Sequence, residues 1–326
     1  MSLRINNNIE SMNAHRSLLM NDRALSKSLE RLASGQKVNR AADDPAALVI
    51  SEHMRAQVSG MEQAIRNNEV AISLVQTAEG SMNEISSILV SLRQRAISAA
   101  NVGASDQDMI NANQAEVENG LQSIDRVVSS TQFGHYKLLD GTNSKRIEIK
   151  FKIDENGEFI LDDDDNKIIV SQETFYKEGL RFHVGPNAEH MASTSIRDMS
   201  TNQLGRIIVP EGELPNKSNF MSLADIDVRD EQGAQDALAI IDQSLTEVAT
   251  VRGELGAFQK HTLESNLTSL QVAAENMTAA ESTIRDTDMA QELATFTRNQ
   301  IMTQSATAQL AQANAMPQHV LRLLNG

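Results

Sequence analysis

The feature that most constrains this chain is a run of apolar residues at helical spacing that continues unbroken for roughly 45 positions. From Met54 it passes through Val58, Met61, Ile65, Ile72, Val75, Ala78, Met82, Ile85, Leu89, Leu92, Ala96 and Ala99. Each step is three or four except where Asn68 fills a slot. Such a helix is roughly 70 Å long at 1.5 Å per residue, which globular domains seldom need. The spacing therefore predicts a mainly α fold, a long antiparallel helical rod.

Other elements follow from local signals. Residues 1–39 read as an amphipathic helix that stops at Ser34-Gly35, the glycine supplying a left-handed cap. Asp43 or Asp44 then caps the long helix, and Pro45 fits its first turn, where no intrahelical N–H bond is lost. Residues 101–105 break the rod. A second helix folds back over about 106–128, capped by Ser105 or Asp106. Residues 146–153 alternate strictly, Asn156-Gly157 is a two-residue turn signal and Phe159-Ile160-Leu161 returns, which predicts a hairpin. Asp162 to Asp165 with Asn166 make a second turn before Ile168-Ile169-Val170, and 180–184 give a further strand. Helix resumes near Asp230, with Leu238, Ile241, Leu245, Val248, Leu255 and Phe258 on one face. A step of five from Phe258 to Leu263 shifts that seam before the periodicity runs on into the terminal stretch. The order is helices, a small central β-rich segment, then helices.

Both chain ends carry narrow apolar stripes. Ile5, Ile9, Met12 and Leu19, then Leu18, Leu25, Leu29 and Leu32, are heptad-like at the N-terminus; Leu293, Phe296, Met302, Ala306, Leu310 and Ala313 continue the C-terminal face. The remaining faces hold Thr, Gln, Asn and Ser rather than Lys and Glu, so these helices are suited to enclosure by similar helices. An isolated pair buries too little apolar surface to offset the entropy of ordering both ends, and is expected to be marginal until it associates.

Composition excludes several classes. The chain has 326 residues, a formal charge of −15, 3% aromatic residues with no Trp, and no Cys. An acidic chain is a poor partner for nucleic acid. The absence of cysteine removes disulfides, zinc–thiolate sites and thiol nucleophiles. No apolar h-region and no run of 18 apolar residues occurs, so neither a cleaved signal nor membrane insertion is expected.

Residues 30–57, ERLASGQKVNRAADDPAALVISEHMRAQ, and the C-terminal stretch 276–326 closely resemble bacterial flagellins. The likeness covers about 3–141 and 229–325, with a weaker stretch at 180–205. It implies a structural subunit, with no enzyme activity and no cofactor, that leaves through the flagellum's own channel and polymerises outside the cell into the filament that drives swimming. The implied layout is 1–44 and 286–326 as paired coiled-coil helices of the inner filament core, 45–141 and 229–285 as the two halves of the rod, and 142–228 as the β-rich centre. Implied partners are identical subunits in an open helical filament, an export chaperone and export apparatus, and the filament cap and junction proteins. Subunit contacts are expected from Ile5, Ile9, Met12, Leu18, Leu25 and Leu29 against Leu293, Phe296, Met302, Leu310, Val320 and Leu323. Arg31, Arg40, Asp43 and Asp44 are candidates for salt bridges or solvated loop charges. The hook–filament junction protein is the alternative; it shares Asp-Asp-Pro near its N-terminus, while the tail Ala311-Gln312-Ala313-Asn314-Ala315-Met316-Pro317-Gln318-His319-Val320-Leu321 is similar to flagellin tails.

Two stretches depart from the family. Phe133-Gly134-His135 stands where flagellins usually continue Phe-Asn-Gly. By alignment, Ser91, Arg93, Arg95 and Glu116 occupy the positions that the flagellin-sensing Toll-like receptor of vertebrates reads as Arg, Arg, Leu and Glu; only Arg93 and Glu116 match, which predicts weak or no activation. Catalytic and metal readings are declined. His183 and His190 flank Gly185-Pro186 and read as exposed loop histidines. The acidic turn at Asp162 lacks the alternation, glycine and distal glutamate of a calcium loop. The sequons at Asn216, Asn266 and Asn276 occur by chance.

Overall fold

The structure, a computed structural model, describes residues 8–101, 106–142, 146–151, 169–175, 179–206, 218 and 220–324. It divides into two compact units, one made of 1–59 with 273–326 and the other of 60–272.

In the first unit, α1 (Ile9–Ser34) starts at Asn8, whose Oδ1 accepts from Ser11 N at 3.1 Å, and stops at Gly35, φ 71°. That positive φ favours glycine, as the left-handed stop requires. Helix α2 (Pro45–Ala99) begins in this unit, with Asp44 Oδ1 accepting from Ala46 N and Ala47 N at 3.1 and 3.0 Å. The C-terminal helix α6 (Met289–Leu324) is capped by Asp288, which accepts from Ala290 N and Gln291 N. Here the structure corrects the sequence reading. The periodicity ran through 286–288, but α5 (Ser265–Arg285) ends there, and Asp286 forms a β-bridge with Gln36. Lys37 N donates to Arg285 O at 2.6 Å and Thr287 N to Gly35 O at 2.9 Å. A β-bridge fixes φ/ψ outside the helical region, so it overrides a periodicity that side chains alone continue.

The second unit is built on the long apolar stripe. Ala71, Val75, Ala78, Met82, Ile85, Leu89, Leu92, Ala96 and Ala99 of α2 are buried. With them lie Val117, Leu121, Ile124 and Val128 of α3 (Gln107–Ser130), and Ala234, Ala237, Ile240, Ile241, Val248, Val251 and Leu255 of α4 (Glu231–Phe258). Each large aliphatic side chain so removed from water contributes about 2 kcal/mol. Small residues set the spacing: a Cβ on Gly120 would meet Leu92 Cδ2 at 2.5 Å. Asn68, the polar slot, is fully buried and donates to Ala64 O at 2.7 Å and Val184 O at 3.2 Å.

The step of five has a physical cause. Residues Gln259–Glu264 form a π-helical turn between α4 and α5. In an α-helix, side chains five apart diverge by about 140°. The extra residue in the π turn lets Phe258 pack against the core while Leu263 is fully buried.

Among the described residues the β structure consists of three two-stranded antiparallel pairs. β1 (Gln132–Phe133) and β2 (Tyr136–Lys137) pair around Gly134-His135, with Gly134 at φ 63°, so the departure from the family pattern forms a tight turn. β3 (Arg146–Phe151) pairs antiparallel with β4 (Ile169–Phe175), in register Arg146↔Phe175. The Asn156-Gly157 turn, Phe159-Ile160-Leu161 and the acidic turn lie outside the described residues. β5 (Leu180–His183) pairs with β6 (Met191–Thr194), a strand without a sequence signal.

Candidate subunit interface

The paired ends build the candidate site. On α1 the residues turned inward are Ser11, Ala14, Leu18, Asn21, Leu25 and Ser28. On α6 they are Glu292, Phe296, Asn299, Thr303, Ala306, Leu310 and Ala313. Both sets repeat every three or four residues, as an antiparallel two-helix seam needs. Nine of these thirteen residues are small or polar, and the polar ones other than Thr303, with Asn8 beside them, are bonded across the seam. Asn8 Nδ2 donates to Ala313 O at 2.8 Å, Ser11 Oγ to Asn314 Oδ1 at 2.6 Å, Asn21 Nδ2 to Met302 O at 3.4 Å and Asn299 Nδ2 to Ser28 Oγ at 3.4 Å. At the α1 C-terminus Arg31 faces Glu292 at 3.6 Å. These bonds fix the register while burying little apolar area.

The large apolar residues lie elsewhere. Of the residues expected to make subunit contacts, Leu18, Leu25, Phe296 and Leu310 face the seam. Ile9, Met12, Leu29, Leu293 and Met302 are exposed, joined by Leu19, Met20, Met289, Ile301 and Met316. Ile5 and the side chains of Val320 and Leu323 lie outside the described residues. At 100° per residue, Ile9, Met12, Leu19 and Met20 stand opposite the α1 seam, and Ile301 opposite the α6 seam. Isolated exposed apolar residues are ordinary; here they recur along both helices, ten in all among the described residues of α1 and α6.

Charges near the ends are paired locally. Lys27 Nζ lies 2.8 Å from Asp43 Oδ1, Arg40 Nε 2.8 Å from Glu30 Oε1 and Arg285 2.7 Å from Glu52. Thus Arg31, Arg40 and Asp43 form ion pairs within the subunit, and Asp44 serves as a cap. The Lys27 ammonium beside Asp43, with Arg40 N and Asn39 N also donating to its carboxylate, lowers the Asp43 pKa from 3.8 to about 2. Water screens exposed pairs of this kind, so they add little to stability.

The receptor-equivalent positions lie in the second unit. Ser91 is exposed. Arg93 donates through Nε and Nη2 to Asp242 at 2.6 and 3.3 Å, and this carboxylate raises the arginine pKa. Arg95 Nη2 lies 2.8 Å from Glu116. The two family-matching residues, Arg93 and Glu116, are therefore each engaged by another side chain of the same unit.

His183 departs from the sequence reading. It is half-buried, and its Nδ1 is buried with no hydrogen-bond partner. Its carbonyl accepts from Asn67 Nδ2 at 3.1 Å, and the next carbonyl, Val184 O, accepts from Asn68 and Asn266. Three asparagines thereby hold the end of β5, a role with no signal in sequence because asparagine in a helix ordinarily faces water. His190 is exposed, as expected of a loop. Sequence reasoning also missed Gln114, Asp125 and Glu247, helix side chains that accept backbone N–H groups from Val228, Thr201 and Gly205. Among the described residues no group of three or more His, Cys, Asp or Glu is placed to hold a metal ion, and no helix is long and apolar enough to cross a membrane.

The fold and site define a helical protein whose chain ends pair through a polar seam and leave apolar rows facing outward. The family profile described as bacterial flagellin N-terminal helical region matches residues 5–144, and that described as bacterial flagellin C-terminal helical region matches 238–324. The chain is 36% identical to the flagellin of Bacillus subtilis over 99% of its length and 100% of that protein. It is 35% identical to the flagellar filament 30.7 kDa core protein of Treponema maltophilum, over 98% and 99% of the two chains. A structure described as a flagellar hook-associated protein of Vibrio parahaemolyticus, 14% identical, superposes with a TM-score of 0.53 over 75% of this chain and 100% of that one, a likeness of fold. The chain belongs to the bacterial flagellin family. It is accordingly a member of a structural protein family, not of an enzyme family.

Proposed function

We propose that this chain is the structural subunit of a bacterial flagellar filament, polymerising with identical copies outside the cell to form the swimming propeller. The observation that carries the reading is the division of labour on the paired ends. Polar and small residues close the seam within a subunit, while Ile9, Met12, Leu19, Met20, Leu29, Leu293 and Ile301 are left for other copies. Contacts between unlike surfaces that do not close produce an open helix. Residues 1–44 and 286–326 supply the inner core, 45–141 and 229–285 the rod, and 142–228 the β-rich centre. Export through the flagellar apparatus with a chaperone, and contacts with cap and junction proteins, belong to the same reading. Full-length family membership at both ends and the filament core proteins among the relatives support it.

Toll-like receptor activation by this chain is weak. Ser91 lacks the arginine side chain, and Arg95 replaces an apolar contact with a cation that occupies Glu116.

Negative-stain electron microscopy of the purified full-length chain, after adding a precipitating salt and short filament seeds, tests the main reading. Long uniform filaments are expected. Persistent monomer beside control filaments that grow overturns it in favour of a junction protein.

A further inference from the structure

Sulfur in this chain is confined to methionine, with 14 residues and no cysteine. The placement is uneven. Met61, Met82 and Met199 are buried in the second unit at 9%, 0% and 1% exposure. On α1 and α6, methionine supplies five of the ten exposed large apolar side chains among the described residues: Met12 at 69%, Met20 at 56%, Met289 at 46%, Met302 at 50% and Met316 at 42%. The other five are Ile9, Leu19, Leu29, Leu293 and Ile301, which peroxide does not attack. A thioether that stands in water is open to two-electron oxidation, and one enclosed by protein is shielded.

We propose that Met12, Met20, Met289, Met302 and Met316 make the free subunit sensitive to oxidation: their conversion to sulfoxides blocks addition to the filament, and incorporation into the filament shields them. This rests on the filament-subunit reading above. The oxidant is a peroxide. A sulfur lone pair attacks one peroxide oxygen, the O–O bond breaks and an S–O bond forms. The transferred oxygen gives up its proton, the departing hydroxide takes a proton to become water, and the sulfide has been oxidised by two electrons to the sulfoxide. The new S=O dipole is a strong acceptor that water satisfies on a free helix. On a face closed by a neighbouring helix it loses that water and sets a strong dipole where the thioether made an apolar contact, which disfavours burial. Leucine at the same positions has nearly the same volume and no oxidisable atom, so it separates packing from chemistry.

The test uses the full-length chain, hydrogen peroxide and seeded elongation, with sulfoxides located by peptide mass mapping. Met109, Met191 and Met221 are exposed in the second unit and oxidise alongside the five. The quintuple variant Met12→Leu, Met20→Leu, Met289→Leu, Met302→Leu, Met316→Leu carries that background. Treated wild-type subunits are expected to elongate seeds at least about tenfold more slowly, treated variant subunits at their untreated rate, and methionine sulfoxide reductases of both stereospecificities are expected to restore the wild type. Preformed filaments given the same dose are expected to keep the five thioethers. Undiminished elongation by wild-type subunits shown to carry the five sulfoxides overturns the proposal, as does equal loss in the treated variant. Oxidation of the five in filaments at the free-subunit rate overturns it too. If the variant itself does not elongate, reductase rescue decides: recovery supports the proposal, and no recovery after the sulfoxides are removed overturns it. Untreated wild-type subunits that fail to extend seeds sink the filament reading, and this inference with it.

Discussion

Gln259 donates from Nε2 to Glu264 Oε1 at 2.8 Å, a bond between side chains five residues apart that spans the π-helical turn. An α-helix brings residues four apart together, so a bond at five reports the inserted residue directly. Phe258 before the insertion packs against the Phe182 ring at 6.3 Å between centroids, and Leu263 after it is fully buried.

Deleting Lys260, which is exposed within the π turn, is therefore expected to convert it to α-helix without rotating α4 against α5. Stability should change by about 1 kcal/mol or less. Deleting Ala249, exposed in the α-helical part of α4, turns all that follows by about 100° and is expected to destabilise by several kcal/mol, on the order of a lost core side chain. Urea unfolding of both deletions decides: equal losses would mean that the π turn is not a one-residue insertion.

Gly205 occupies a left-handed conformation, φ 63°, and a Cβ there would meet Ser244 Oγ at 2.6 Å and the Ile240 carbonyl at 2.9 Å. Backbone cannot move aside as a side-chain tip can. Gly205→Ala is expected to cost about 2 kcal/mol or more, read as a lower urea midpoint with an unchanged slope. A midpoint equal to wild type would show that the loop after Leu204 is free to shift.

Much of the fold was legible because a long helix repeats one rule many times. The stripe from Met54 to Ala99, the Gly35 stop and the caps at Asp44 and Asp106 all rest on local spacing and backbone chemistry. The step of five was visible, but whether a seam shift is taken up by a kink, a break or an inserted residue depends on tertiary contacts. The break at 286–288 was hidden for the opposite reason, since its cause is backbone pairing with Gln36, far away in sequence. Among the expected contacts, Leu18 and Ile9 looked equivalent in heptad spacing. Which faces the seam was decided by Ser11, Asn21 and Ser28, polar residues that a search for hydrophobic stripes passes over.

Asp43 titrates with a pKa of about 2, lowered from 3.8 by Lys27 and by two backbone N–H groups. A depressed carboxyl pKa stabilises the folded form fully above pH 3.8, and that stabilisation fades as the pH falls toward about 2. Wild type is expected to exceed Asp43→Asn in stability at pH 5 and to lose the advantage between pH 4 and 2, with carboxyl NMR locating the titration. A difference that persists unchanged below pH 2 would assign the effect to hydrogen-bond geometry, not charge.

Arg95 closes on Glu116 at 2.8 Å, and replacing it removes that pair and restores an apolar side chain. In a receptor reporter assay, pure wild-type monomer is expected to require at least about tenfold more protein than Arg95→Leu for half-maximal response, the equivalent of one contact worth about 1.4 kcal/mol. Nanomolar activation by wild type would overturn the weak-activation reading.

The seam and the outer rows make separable demands, which two substitutions on α6 distinguish. Leu310 lies on the seam and Ile301 on the opposite, exposed side. A carboxylate at 310 is pressed against α1, where the neighbouring groups are small, apolar or already bonded, so Leu310→Asp is expected to loosen the α1–α6 pair. A carboxylate at 301 stays in water in the free subunit and meets an obstacle only when another copy covers it. Both variants are expected to abolish seeded elongation, and both should retain the unfolding transition of the 60–272 unit. Protection from hydrogen exchange at the α1–α6 seam separates them, lost in Leu310→Asp and kept in Ile301→Asp. Normal filament yield from Leu310→Asp would refute the pairing as a requirement for assembly. The same yield from Ile301→Asp would move the contact surface away from the outward face of α6.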